Sequence, residues 1–542
     1  MINIKYKENN FEYENPVPLF EITDRIKDDF EGDVVAAFMD NKVCSLNSIV
    51  SKDSEVEFFD NGSVHGNRVY VRGLCFLFCK AVKDVLNCDV KIIRVMGNEL
   101  YSEILSNTII SETTVEKIKL RMKELVEQEI PIEKIVVSRL EAMNYYKNVN
   151  QLDKANSMKY MSTSSLSLYK MDDTLDYFYG IMPINTKVLK NYELKYIKEN
   201  RVVLIPPSIY DEERSSKYLN NESIIKSTEE NNKFLENINI INSCDLDYKI
   251  SNSEYNSIID VSEMYINKKI YDLAHKISKD KDAKVILING PTSSGKTIVA
   301  RKLTTLLKSD GYDPITISID DFYREDTNDY SRENIDNIDT NLFNNTLDSL
   351  LAGNEVKMPA FDFEVHQRYW QDNAIKLNDK SVIIIEGMHA FNSKLTEMIQ
   401  DKNKFKVFVT PFTPLNIDNH NLFRTSDNRL LRKLVKDAKI KNINPSDSLK
   451  DWRRIRKIEE ETINPYANDA DEFINTSLVY ELGILKTYAE PLLFSINEDD
   501  ENYEEALRIL NIFRVILPMP SENVPSDSIL REFIGGSCFG NE

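Results

Sequence analysis

The sequence predicts an α/β protein of several domains: a small β-grasp module, an α+β domain, and a C-terminal domain with a mainly parallel sheet. Three observations carry this. The 542 residues far exceed the roughly 250–300 at which a single core stops growing. The apolar runs Val285 to Ile288 and Val382 to Ile385 read as strands covered on both faces, as in parallel sheets. The first sixty or so residues instead alternate short apolar runs with turns, the pattern of a small antiparallel or mixed sheet.

In chain order, Ile2 to Tyr6, Val34 to Phe38 and Val56 to Phe59 are strand-like, with a helix-like stretch from Leu19 to Phe30. This strand–helix–strand order gives the β-grasp expectation for residues 1–62. Helical patterns follow from Gly73 to Leu86 and from Thr114 to Glu129, inside a second domain expected over 63–213. Polar sequence from Ser215 to Asn242 reads as a partly helical connection. With the helix-like Ser262 to Lys279 it forms a connecting segment, 214–280. The third domain is expected over 281–542.

Bulk composition narrows the function classes. Hydrophobic residues are 42% and charged residues 29%, a soluble globular balance, and the formal net charge is −20. Such acidity disfavours broad contact with nucleic acid phosphates or anionic membranes. Six scattered cysteines form no CxxC pair and no zinc spacing, which suits reduced thiols. Cys75 and Cys79 read as packed helix residues. His65, His275, His389 and His420 read as isolated surface or packed residues. No signal peptide or membrane-length apolar stretch is present, so a cytoplasmic protein is expected.

The clearest chemistry lies at Gly290-Pro291-Thr292-Ser293-Ser294-Gly295-Lys296-Thr297, which fits G-x-x-x-x-G-K-[ST] between a β-branched run and a helical stretch. Glycines let the backbone curl so that successive N–H groups face one anion, and the following helix adds its positive end. Lys296 should reach the β- and γ-phosphates and the Thr297 hydroxyl should hold Mg²⁺. Glu386 ends the second apolar run, where it could bind the metal. A carboxylate of Asp320-Asp321, after the strand-like Pro314 to Ser318, could take a proton from an attacking hydroxyl or share the metal.

These residues, with Asp320-Asp321-Phe322-Tyr323, Phe361-Asp362-Phe363-Glu-Val-His366-Gln-Arg368 and Asp427-Asn-Arg429-Leu-Leu-Arg432-Lys433, resemble the uridine kinase/phosphoribulokinase family of P-loop kinases over about 284–493. The resemblance implies ATP and Mg²⁺ as cofactors. It implies Asp320 as general base toward a ribose 5′-hydroxyl, and Thr297, Asp320 and Glu386 around the metal. It also puts Tyr323, Phe361 and His366 against the pyrimidine, and Arg429 and Arg432 in a lid over the phosphates. Two departures stand out: Phe361 where Tyr is usual, and Lys436 where Arg is usual.

Residues 1 to about 59 resemble a TGS module through Gly32-Asp-Val-Val-Ala-Ala and Ser54-Glu-Val-Glu-Phe-Phe. Residues from about 68 to 207 resemble the second appended domain of threonyl-tRNA synthetases, which removes misattached amino acids. The catalytic His, His, Cys and His positions of that domain hold Arg72, Phe76, Phe178 and Met182 here. The tail Ile529 to Cys538 resembles that of a bacterial uridine kinase-like group carrying the same fusion.

The expected activity is therefore ATP-dependent phosphorylation of a nucleoside, uridine or cytidine, in a homo-oligomer with no membrane partner. Two alternatives stand beside it: a kinase of another small alcohol, and a nucleotide-dependent RNA- or ribosome-binding regulator. RNA is the weaker partner, given the net charge and the lack of an NKxD motif. The substituted catalytic positions predict that the N-terminal half does not deacylate mischarged tRNA. Release of free amino acid by the full-length chain, above a buffer control, would refute that.

Overall fold

A computed structural model describes residues 1–96, 99–209, 222–280, 282–325, 327, 333–363, 365–412 and 415–540. The N-terminal module has β1 (Ile2–Tyr6), β2 (Asn9–Tyr13), α1 (Phe20–Ile26), β3 (Val34–Met39), β4 (Lys42–Cys44) and β5 (Ser54–Asp60). Its sheet runs β2-β1-β5-β3-β4, with β1 parallel to β5 and Ile22 and Ile26 of α1 buried against one face. That is the strand–helix–strand arrangement expected.

The second unit opens on α2 (Val64–Leu86). This helix starts nine residues before the Gly73 expected from the apolar run, because Ser63 accepts from the Gly66 amide as an N-cap. Cys75 and Cys79 are buried along it. Then follow β6 (Val90–Met96), β7 (Glu99–Ile104), α3 (Glu112–Glu127), β8 (Ile132–Ser138), α4 (Arg139–Asn148) and α5 (Leu152–Lys159). The unit ends with β9 (Ser165–Met171), β10 (Thr174–Asp176), β11 (Glu193–Lys198) and β12 (Arg201–Ile205). Two sheets result, β8-β9-β10 and β11-β12-β7-β6, packed around α2 and α3 as an α+β unit.

Of the expected connecting segment, 214–221 lie outside the described residues. The rest forms α6 (Glu222–Asn237), α7 (Ser243–Ser251) and α8 (Tyr255–Lys279). It is no loose linker. Ile258, Ile266, Ile270 and Leu273 of α8 join one apolar cluster with Met158 of the second unit and Ile286 of the third.

The C-terminal domain contains β13 (Val285–Asn289), α9 (Lys296–Ser309), β14 (Asp313–Ser318), α10 (Thr340–Leu351), β15 (Val356–Asp362), β16 (Gln367–Ile375), β17 (Ser381–Glu386) and β18 (Lys404–Thr410). After these come α11 (Thr425–Ile440), α12 (Pro445–Thr462), β19 (Glu472–Asn475), α13 (Glu481–Phe494), α14 (Tyr503–Phe513) and the single turn α15 (Arg531–Ile534). The sheet order is β14-β17-β13-β18-β19, every pair parallel. All five residues of β13 are buried, as its central place and continuous apolar character require. Among the described residues no helix is long and apolar enough to cross a membrane.

Asp247 of α7 is fully buried, with Oδ1 accepting from Leu517 N at 2.7 Å. Burial pushes its carboxyl up to about 7 from 3.8, outweighing the Leu517 amide and the Lys486 charge. The folded protein then binds a proton that the unfolded chain has released. Stability from this group is full below the unfolded value and is lost as pH rises through the folded one. Melting midpoints measured between about pH 5 and 8 should fall more steeply for the wild type than for Asp247→Asn. Parallel curves would remove Asp247 as the cause.

Candidate active site

Of the eight expected phosphate-loop residues, Gly290 to Gly295 form the turn between β13 and α9, and Lys296 and Thr297 open α9. Gly290 passes so close to β18 that a Cβ there would meet the Val409 carbonyl oxygen at 2.0 Å. Ser293 and Gly295 take φ of 58° and 88°, the left-handed values a curled backbone needs.

The loop's carbonyls are tied down one after another. Lys296 Nζ donates to Pro291 O at 3.0 Å. Arg429 Nε donates to Thr292 O at 2.7 Å and Arg432 Nη1 to Ser293 O at 3.4 Å. Thr476 Oγ1, just past β19, donates to Ser294 O at 2.5 Å. The Thr292 amide is tied to the same brace: its N donates at 2.8 Å to Glu459 Oε1 of α12.

Arg429 and Arg432 were expected to face the phosphates from a lid. They lie instead almost wholly buried, on α11, three residues apart on one face. Arg429 pairs with Glu459 and lies 5.1 Å from the Trp452 ring centroid. Arg432 pairs with Glu481 at 2.7 Å, both side chains fully buried, and also donates to Thr476 O. The basic run Arg453 to Lys457 divides: Arg453, Arg454 and Lys457 are exposed, while Arg456 bonds Glu459 and Glu460.

The acidic side of the site stands at the C-terminal edge of the sheet. Glu386 ends β17 and accepts from Ser318 Oγ at 2.9 Å. Asp320 follows in a 3₁₀ turn, Ile319–Phe322. Burial, then the Asp320 charge, push the Glu386 carboxyl up to about 7, against the pull of Lys296. Burial lowers Lys296, while Glu386, Asp320 and Glu532 raise it. Asp321 rises to about 6, from burial and its neighbour Asp320. These groups thus sense one another as a single electrostatic unit. Thr297 stands in the first turn of α9. Among the described residues no three His, Cys, Asp or Glu side chains gather into a ready cation site. Thr297, Asp320 and Glu386 could hold a metal together with phosphate oxygens, an all-oxygen set suited to Mg²⁺.

Of the expected acceptor residues, Tyr323 and Phe361 come together. Their ring centroids are 5.6 Å apart, and Phe363 lies 5.1 Å from Tyr323. Both are largely buried, and the Tyr323 carbonyl accepts from Arg368. His366 lies in the β15–β16 turn with φ 54°. Lys436 is held by Glu532 of α15 at 3.0 Å.

Glu459, Glu481 and Thr476 had no sequence signal: buried Glu and Thr are recognisable only once their partners are near. His420 was misjudged as isolated. It is buried among charged groups of the second unit, with Nδ1 2.6 Å from Asp176 Oδ2 and Nε2 2.8 Å from Asp89 Oδ1. His65 packs edge-on against Phe38, His275 is exposed and His389 is buried.

A parallel α/β sheet carrying this loop and edge carboxylates defines a P-loop kinase fold. Residues 285–474 match the Phosphoribulokinase / Uridine kinase family, and the C-terminal part of the chain is a domain of that family. The N-terminal region is similar to threonine–tRNA ligases. One from Francisella tularensis subsp. tularensis is 24% identical over 196 residues, 36% of this chain and 31% of the ligase. One from Fusobacterium nucleatum is 28% identical over 186 residues, 33% of this chain and 29% of the ligase. The chain thus spans less than a third of these relatives' length. Among solved structures, one from Bacillus stearothermophilus described as a possible uridine kinase is 19% identical, covering 38% of this chain and 98% of that one, with TM-score 0.28. D-glycerate 3-kinase from Cryptococcus neoformans is 15% identical, covering 39% and 87%, with TM-score 0.24.

Removing Arg432 would strand the buried Glu481 carboxylate. Arg432→Ala should cost about 3–5 kcal/mol, read by denaturant unfolding, whereas Arg432→Met with Glu481→Leu should cost far less. Equal losses would mean that the pair's charge is not what matters.

Proposed function

We propose that the C-terminal domain transfers the γ-phosphoryl group of ATP to the 5′-hydroxyl of a nucleoside, uridine or cytidine. The observation that carries this reading is the braced loop with Lys296 leaving β13 beside β17, with β14 next: Ile288 pairs with Glu386, and Glu386 with Ser318, two residues before Asp320. The coarser statement, a P-loop kinase fold that supports ATP-dependent kinase activity, rests on the family match.

In this reading the amides of the phosphate loop and the α9 N-terminus hold the triphosphate. Lys296 stabilises charge on the β- and γ-phosphates. Asp320 accepts the proton of the attacking hydroxyl, and positioning supplies most of the remaining acceleration. Thr297, Asp320 and Glu386 would hold Mg²⁺, which when bound neutralises phosphate charge. Arg429 and Arg432 act through the loop backbone. The largely buried rings of Tyr323 and Phe361, tilted 53° to each other, would back a base with apolar surface, with His366 at the hairpin turn beyond them. Phe361 lacks a hydroxyl, which favours keeping another small alcohol as a second acceptor class, because an absent polar partner weakens discrimination.

Full-length protein with ATP, Mg²⁺ and a panel of nucleosides, sugar phosphates and pantothenate tests the reading. Transfer only to a non-nucleoside would replace it with the second. Lys296→Ala should slow turnover at least about a hundredfold. Asp320→Asn should abolish transfer while ATP binding persists; loss of nucleotide affinity alone would remove Asp320 as the base.

A further inference from the structure

The second unit carries no catalytic set at the positions where its synthetase relatives would have one, yet those positions are not idle. Phe76 packs on Phe178 with centroids 5.5 Å apart, and Phe178 stacks on the imidazole of His420. His420 belongs to the C-terminal domain, on the stretch between β18 and α11. Its ring lies among Lys154 and Asp176, both buried in the second unit and paired with each other. Lys154 Nζ stands 2.6 Å from Nδ1, and Asp89 closes the other side at Nε2.

The neighbouring residues dock as well. Asn419 N donates to Asp153 at 2.9 Å and Asn421 Nδ2 to Tyr177 O at 2.9 Å. Ile92 N donates to Asn419 O at 2.8 Å, and Asn416 Nδ2 donates to Ile92 O at 2.7 Å. Leu422 packs on the second unit's apolar cluster. Segment 415–424 is thus a plug seated in a socket made by α2, α5, β6 and the stretch after β10.

Where the plug ends, α11 begins, and its first turn is held from the same unit by a separate route. Arg68 of α2 bonds Glu505 of α14 at 2.5 and 3.1 Å. Arg508 bonds Glu505 at 2.8 Å and Asp427 of α11 at 2.7 and 2.9 Å. Two residues past Asp427 comes Arg429, and five past it Arg432, the donors to the phosphate-loop carbonyls.

We propose that the synthetase-like unit is a structural part of the phosphate site: its socket, with His420 and Asp176 as positioning residues, sets α11 and thereby the loop that Arg429 and Arg432 brace. This rests on the kinase reading only for its consequence in nucleotide affinity, not for the coupling itself. A packed buried ion cluster has one arrangement, so losing the plug's imidazole leaves Asp176 and Asp89 short of a partner and frees the start of α11. Contacts alone do not prove coupling, so the test must read both ends.

The experiment uses the full chain and compares His420→Ala, Arg68→Gln and Ile118→Ala. The last removes a buried side chain of α3 in the same unit but outside the socket. Amide hydrogen exchange of 425–440 and 290–297, affinity for a fluorescent ATP analogue, and melting are measured together. His420→Ala and Arg68→Gln should speed exchange at both segments and weaken the analogue by about tenfold, within the usual span of coupling between sites. Ile118→Ala should lower the melting temperature without either change. Should His420→Ala fail to fold, Arg68→Gln carries the same comparison. Unchanged exchange in folded variants, or the same response from Ile118→Ala, overturns the proposal. If the wild type binds no nucleotide, the kinase reading fails, while the exchange comparison still decides the coupling.

Discussion

The phosphate loop keeps its shape because its carbonyl oxygens are occupied from outside. Pro291, Thr292, Ser293 and Ser294 each present C=O to a donor on Lys296, Arg429, Arg432 or Thr476. Two of those donors are arginines whose charge is balanced by Glu459 and Glu481 in the protein interior. An anion-binding turn has little apolar content of its own and cannot hold itself rigid by burial. It is made rigid here by charged side chains that the rest of the domain must first desolvate and pair. Burying such pairs gains little net stability, but fixes one geometry and makes each member hard to replace.

The second unit is held against the C-terminal domain by packing and buried polar contacts. Arg72 donates to the Ile181 carbonyl at 3.0 Å, and Phe76, Phe178 and Met182 are buried. Around them the rings of Phe76 and Phe178 pack with the His420 imidazole. The continuous apolar cluster through α8 unites Met158, Ile270 and Ile286, so the halves share a core rather than merely a tether.

How much of this was legible beforehand depended on range. The loop was readable because its glycines, lysine and threonine are contiguous, and β13 and β17 because burial on both faces leaves unbroken apolar runs. α2 was read short, since Val64 to Arg72 mixes polar with apolar residues and its start is marked only by the Ser63 cap. For the arginines, spacing shows that Arg429 and Arg432 share a face, not that this face meets the loop carbonyls and two buried glutamates. Glu459 and Glu481 looked like ordinary helix-surface acids. His420 looked solitary because its partners are Asp89, Lys154 and Asp176, all from another unit.

The socket has a consequence for synthesis. Ribosomes deliver a chain from its N-terminus, and 331 residues separate Asp89 from His420. Through most of elongation the acidic recess therefore faces water with no imidazole to fill it, a wait imposed by long sequence separation. Its final closure must come late, when the arriving C-terminal half displaces that water.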